Sequence, residues 1–274
     1  MSNIYIYIIT HKNIDNKIKL KNYGYLGVGY NENLNVEYRD NTLDNIANKN
    51  ANYCELTAQY WISHNTDSKY VGLVHYRRFF YKNIFAYYFN KILDTNYFEK
   101  KLTKYDVILP KKWNMHQSIY NDYKTKHYIK DLDNCGKVIK DKYPEYYKSF
   151  ENLKKIRKLS PCNMIITSKE IYDDYTKWLF DILFEVEKIT DMSGYSKNNQ
   201  RVFGFLSERL LNVYFDHHKE YKILYKPVYQ IDDKHNTFFS RIITRLRHYK
   251  YELRCIIVLF LKKLGFKRKK KKQS

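Results

Sequence analysis

Between Lys69 and Phe80 the chain reads KYVGLVHYRRFF, an apolar run that stops abruptly at a histidine and two adjacent arginines. Tyr70, Val71, Leu73 and Val74, with Gly72 among them, have the character of a strand buried on both faces. Strands of that kind belong to open α/β sheets covered by helices, and such sheets bind ligands at the carboxyl ends of their strands. Arg77 and Arg78 stand at that end. Guanidinium presents a planar fork of donors that matches phosphate, each charge-assisted contact contributing roughly 1.5–3 kcal/mol. An anion-binding edge is therefore expected, with His75 placed to join it. Two solvated arginines flanking a strand would be the commoner fate of an isolated Arg-Arg pair, and other parts of the chain decide between the two.

A second run of the same kind, IYIYII from Ile4 to Ile9, ends in Thr10, His11 and Lys12 and predicts a central first strand. At its end Thr10 and His11 are placed to hydrogen-bond a base or ribose and Lys12 to meet phosphate. The run is shorter than the apolar core of a signal peptide and lacks a basic start and a small-residue cleavage site, so the mature chain is expected to begin here. With 274 residues, 44% apolar and 18% aromatic, the chain can bury a sizeable core, and the lack of low-complexity linkers favours one main domain with an appendage. Cys54, Cys135, Cys162 and Cys255 are scattered without CxxC spacing. That argues against a zinc ribbon or a disulfide framework and for a reducing, cytosolic compartment.

Charge is placed unevenly. Residues 238–274 hold 13 Lys/Arg against Glu252 alone, leaving +12 of the chain's +21 in the tail. Phe239, Ile242, Ile243, Leu246, Tyr249, Leu253, Ile256, Ile257, Phe260 and Leu264 recur there at three- and four-residue spacing, one apolar face of a basic helix. The uninterrupted apolar stretch Cys255 to Leu261 is far short of the roughly 20 residues that span a bilayer. The tail therefore reads as an amphipathic helix lying on an anionic membrane, with Lys262 onward adding about 1 kcal/mol per charge near the surface. A final helix docked on the protein's own core is the alternative. Nucleic acid is not expected as a partner: no RNP, KH or zinc-knuckle pattern occurs, and an aliphatic face suits acyl chains better than bases.

Between the two strand ends, residues 38–65 pass from a polar loop, with Asp40, Asp44, Asn45 and Asn50, to a helix starting near Asn50 or Asn52. Asn52 reads as its N-cap and Glu55, three residues on, as the second half of a capping box. Asp40 and Asn45 are placed to contact a ribose or sugar, while the loop lacks the spacing of an EF-hand metal site. Downstream, Asn163 opens a buried strand (NMII), and an amphipathic helix follows with Ile171, Tyr175, Trp178, Leu179, Ile182 and Leu183 inward. A polar residue entering a buried strand must find hydrogen bonds, which makes Asn163 a candidate for a sugar or acceptor pocket or, equally, a turn amide serving the local backbone. Arg201 opens a further helix carrying Glu208 and Arg209. Glu208 is the candidate general base, with Asp191 in the preceding Gly-containing loop as the reserve. An ion pair within or between elements is the structural alternative, more so for Arg209.

In order along the chain stand YCELTAQYWISHN, YVGLVHYRRFF, ILPKK, YPEYYKSF, NMIITSKEIYDDYTKWLFDILFEVE and RVFGFLSERLLNVYF. The series, from about Ile4 to Val228, resembles a family of glycosyltransferases long labelled a domain of unknown function and encoded in bacterial capsule and exopolysaccharide clusters. The resemblance implies an α/β fold, a GT-A-like, Rossmann-related mixed sheet flanked by helices, over residues 1–235, with the basic helix of residues 236–274 outside it. It implies transfer of a hexosyl group, galactosyl or galactofuranosyl among the candidates, from a nucleoside diphosphate sugar to a lipid-linked oligosaccharide or growing polysaccharide. It also implies a place on the inner face of the cell membrane. Thr10, His11, Lys12, Asp40, Asn45, His75, Arg77 and Arg78 would then bind the donor, Asn163 and Arg201 would line the acceptor and sugar pocket, and Glu208 or Asp191 would act on the acceptor.

One departure stands out. GT-A enzymes commonly place Asp-x-Asp at the end of a central strand to hold a metal on the diphosphate, and here that place reads His75-Tyr76-Arg77. The literal DxD, Asp131-Leu132-Asp133, follows a polar, Lys-rich segment. No metal ligands are assigned, and strict dependence on Mg²⁺ or Mn²⁺ is not expected, Arg77 and Arg78 offsetting diphosphate charge instead. The reading from another class is a non-catalytic basic protein that binds polyanions or anionic membranes.

Overall fold

The protein is described from a computed structural model. It covers residues 3–231 and 237–246, together with Tyr249, Leu253 and Ile257. The strands are β1 (Ile4–Thr10), β2 (Tyr23–Gly27), β3 (Tyr38–Arg39), β4 (Tyr70–His75), β5 (Arg78–Phe80), β6 (Val107–Pro110), β7 (Trp113–Asn114), β8 (Lys158–Leu159), β9 (Ile165–Ser168), β10 (Ile223–Lys226) and β11 (Val228–Gln230). The helices are α1 (Asn50–Tyr53), α2 (Leu56–Asn65), α3 (Ile84–Tyr88), α4 (Thr95–Leu102), α5 (Ile119–Lys126), α6 (Ile129–Lys142), α7 (Tyr147–Asn152), α8 (Lys169–Lys188) and α9 (Val202–His217).

A mixed, mostly parallel sheet in the order β10-β6-β9-β4-β1-β2-β3 forms the middle layer. β3, β2, β1 and β4 run parallel, and β9 runs antiparallel between β4 and β6. Alternation in β1 and β4 explains why both faces are covered. Tyr7, Ile9, Val71 and Leu73 pack with α2, α8 and α9 on one side, while Ile4, Ile6, Ile8 and Val74 pack with α3 and α4 on the other. Gly72 permits the tight centre of the sheet, because a Cβ there would meet Ile6 and Ile166, its cross-strand partners, at 3.0 Å. The long α8 starts where Ser168 Oγ accepts from Ile171 N, and it buries Tyr172, Tyr175, Trp178, Leu179, Ile182, Leu183 and Val186 at helical spacing.

Chain order and space diverge at one place. β1, β2 and β3 build outward in one direction, and the next strand, β4, returns to the opposite side of β1. The crevice beyond the carboxyl ends of β1 and β4 is thus a topological switch point, where open α/β sheets bind ligands. The expected α/β class, with strands ending at Thr10 and His75, is what the structure shows.

The expected single helix from Asn50 or Asn52 is corrected. Cys54 adopts φ 54°, which separates α1 from α2, and Asn52 Nδ2 donates to Gln200 O at 2.8 Å instead of capping. Glu55 precedes α2 without capping it. Of the tail, residues 238–246 are helical and begin against the domain: Arg241 is buried, and its Nη1 donates to Tyr88 O at 3.0 Å. The polybasic end from Lys262 lies outside the described residues. Among the described residues no helix is long and apolar enough to cross a membrane.

Candidate functional site

At the carboxyl end of β4 the chain turns back at once into β5, pairing His75 with Arg78. His75 is on the face of β4 that looks toward α2 and α9. Its Nε2–H donates to Cys162 O at 2.7 Å, so Nδ1 keeps its lone pair, and burial lowers its pKa so that the neutral ring is present at neutral pH. Arg78 acts electrostatically on His75, Cys162 and Glu208, yet its guanidinium makes no hydrogen bond or ion pair among the described residues. A guanidinium beside the crevice with no direct ion pair among the described residues is a ready site for a ligand's negative charge.

Around it converge three further pieces of chain. The bend before β9 places Cys162 and Asn163 at φ 75° and 47°, both left-handed and neither glycine. Cys162 N donates to Glu208 Oε1 at 3.1 Å. Asn163 is 2% exposed, and its Nδ2 donates to Ser207 Oγ at 2.7 Å, Glu55 Oε1 at 2.8 Å and Gly204 O at 3.3 Å, leaving Oδ1 buried with no partner among the described residues. Glu55, at the start of α2, therefore has one oxygen fixed by Asn163 and the other without a partner among the described residues. From the start of α9, Arg201 Nε donates to Cys54 Sγ at 3.2 Å. Burial pushes the Cys162 thiol up to about 12 and raises that of Cys54, so both stay protonated and neither is a nucleophile.

Glu208 is the most chemically suggestive group. Its Oε2 accepts from Arg209 Nη1 at 3.0 Å, and Arg209, buried in turn, reaches Asp122 Oδ2 at 3.5 Å. Burial raises its pKa, Arg209 opposes this, and the nearby Glu55 charge adds to it. About a quarter of its side chain (24%) remains exposed, so a substrate hydroxyl can reach it. The arrangement thus holds two carboxylates, a neutral imidazole and an unpaired guanidinium on one rim, which suits binding an anionic donor and taking a proton from an acceptor.

A basic rim continues onto β1. Lys12 Nζ lies 5.3 Å and Arg77 Cζ 5.1 Å from the centre of the Tyr76 ring, and His11 meets the same ring edge-on at 5.5 Å. Thr10 is buried and shapes the turn, its Oγ1 donating to Lys12 O and accepting from Lys12 N. Other residues singled out from the sequence lie apart from this cluster. Asp40 is fully buried, its carboxylate accepting from Gly29 N at 2.9 Å and from Thr57 Oγ1; it props the start of α2 from behind. Asn45 serves its own turn, bonding Leu43 O and Ala47 N. Asp191 is exposed, accepts from Ser193 N at 2.8 Å and has its pKa lowered by the Ser193 hydrogen bonds, so it is a weak proton acceptor. Asp131 and Asp133 lie within α6, each accepting from a tyrosine hydroxyl, Tyr195 and Tyr120. Among the described residues no three His, Cys, Asp or Glu side chains gather to hold a metal.

Residues 5–220 match a family described as a domain of unknown function, DUF4422. The chain belongs to the DUF4422 family. Its fold is also similar to a solved structure titled as the apo form of the bifunctional glycosyltransferase WbbM, with a TM-score of 0.75 and 27% identity over 84% of this chain. The DUF4422 chain spans 45% of the length of that protein. No curated protein matches it.

Proposed function

We propose that this DUF4422 chain is a glycosyltransferase that moves a hexosyl group from a nucleoside diphosphate sugar to a hydroxyl of a growing surface polysaccharide carried on lipid. The observation that carries the reading is the Arg78 guanidinium, unpaired among the described residues and close to Glu208 and His75, at the switch-point crevice of a fold shared with a bifunctional glycosyltransferase. Arg78 receives the donor diphosphate, with Arg77 and Lys12 on the Tyr76 ring extending the cationic rim. As the glycosidic bond breaks, charge grows on the leaving oxygen, and fixed cations offset it there. The acceptor hydroxyl must lose its proton whichever face it attacks. Glu208, with its raised proton affinity and exposed edge, takes it, while Glu55, held by Asn163, orients the sugar hydroxyls.

In this reading the basic tail holds the enzyme on the anionic inner surface of the membrane, where a lipid-linked acceptor resides. The test is a thermal-shift screen of nucleotide sugars, with and without Mn²⁺, followed by donor turnover. A true donor at 100 times its Kd stabilises by about 2.7 kcal/mol, and its hydrolysis or transfer should persist in a chelator. Stabilisation by polyphosphate alone, with no nucleotide sugar turned over, would favour the non-catalytic polyanion binder instead.

A further inference from the structure

Two phenylalanines of the catalytic domain stand in water. Phe85 and Phe89, on and just after α3, are 68% and 66% exposed. Beside them runs the first part of the tail helix: the Phe89 ring lies 5.7 Å from Phe238, and Phe238 lies 5.8 Å from Phe239, which is 74% exposed. Ile243 and Leu246 follow Phe239 at helical spacing on the same outward stripe, and both are exposed. The patch is tied to the domain. Arg241 caps the carbonyl end of α3 through Tyr88 O, the Tyr87 hydroxyl donates to Gln230 O, and the Tyr88 ring meets Phe238 at 6.0 Å. The two segments that carry the patch are basic in sequence. Residues 79–93 contain Lys82 and Lys91 and no carboxylate, and residues 237–251 contain Arg241, Arg245, Arg247 and Lys250 and no carboxylate.

We propose that Phe85 and Phe89 form, with the Phe239–Ile243–Leu246 stripe, one composite wedge that enters the interface of an anionic lipid bilayer. Exposed aromatic and aliphatic side chains on basic segments match acyl chains beneath anionic headgroups. The consequence is orientation as well as attachment. α3 starts six residues after Arg78, so the wedge fixes the distance between the bilayer and the candidate site through the short β5. This deepens the membrane clause of the proposed function and is independent of the transferase reading, because binding is measured without substrate.

The experiment compares co-sedimentation with vesicles of phosphatidylglycerol and phosphatidylcholine for the wild type, the full-length Phe85→Ser/Phe89→Ser variant, and a chain ending at residue 246 with and without those two substitutions. Burying a phenylalanine favours the bound state by at least a kcal/mol or so, and the double variant should lose about tenfold or more in partition. The truncated chain should keep weak binding that the double substitution then abolishes. A Phe85→Trp variant should show fluorescence quenched by brominated acyl chains. If the double variant binds like wild type while truncation abolishes binding, the tail reading stands and the wedge is wrong. No binding by wild type overturns both. Dimerisation of wild type in solution that the double variant loses, with no quenching in the Phe85→Trp variant, would make the patch a self-interface and also overturn the proposal.

Discussion

Asn163→Ala tests whether the candidate site is held together as described. The side chain is 2% exposed, and its amide donates to Ser207, Glu55 and Gly204. Two protons serve three acceptors, so two good bonds are lost. The one to a carboxylate contributes about 1.5–3 kcal/mol and the neutral one about 1 kcal/mol. Alanine must also take the left-handed conformation that asparagine tolerates at φ 47°, adding about 1 kcal/mol. Water reaching the half-buried Glu55 recovers part of this, giving an expected loss of roughly 3 kcal/mol. Asn163→Gly removes the same hydrogen bonds without the backbone strain and should be about 1 kcal/mol less damaging. Urea unfolding measures both, and donor turnover should fall equally in the two because Glu55 is released equally. A loss under about 1 kcal/mol in the alanine variant, or turnover that follows stability instead of the shared loss of the amide, would refute the network as the element that positions Glu55.

Arg78→Ala should abolish nucleoside diphosphate binding by calorimetry, and Arg77→Ala should weaken it less, because Arg77 already rests on the Tyr76 ring; equal and unchanged affinities would remove the phosphate role from this edge. Glu208→Gln should lower kcat by about 10²-fold or more with little change in KM, whereas a KM effect alone would make Glu208 a binding group. Burial raises Asp40 from an ordinary 3.8 to about 6, so the folded state binds that proton more tightly than the unfolded chain. Its contribution to stability is present below pH 3.8 and is lost as pH rises through 6, on the order of 3 kcal/mol in total. In Asp40→Asn the amide replaces the acceptor bond at Thr57 with a donor bond, and the difference in stability from wild type should change across about pH 4–7; a difference constant with pH would show that Asp40 stays charged throughout.

What was legible in the sequence followed from local periodicity. β1, β4 and α8 declare themselves because burial on one or two faces repeats every two or 3.6 residues, and Asn163 declares itself because a polar group entering a buried strand demands partners. What failed was decided by distant chain. Glu55 reads as half of a capping box with Asn52, yet Cys54 turns left-handed between them and sends Glu55 to Asn163, 108 residues away. No glycine marks that turn. Tyr76 likewise carries no sequence signal for the ring that Lys12 and Arg77 share. Asp40, Asn45 and Asp191 look like ligand-binding polar residues, and in the structure they bond to nearby backbone amides and, for Asp40, to Thr57 as well.

The left-handed residues also bear on how the site keeps its shape. Cys54, Cys162 and Asn163 are non-glycine residues at positive φ, each costing of order 1 kcal/mol or more, and all three border the same crevice. A sheet and its helices could be joined without them. Each strained peptide is instead pinned by a group that belongs to the site: Cys162 N by Glu208, Cys162 O by His75, Asn163 by Glu55 and Ser207, and the Cys54 thiol by Arg201. The pinning works in both directions. The bends hold His75 in its neutral Nε2–H form and fix one oxygen of each glutamate, so these groups meet a ligand already oriented, at an ordering cost met during folding. Arg78 is the exception among them, a guanidinium left unpinned among the described residues and so open to a ligand's anion.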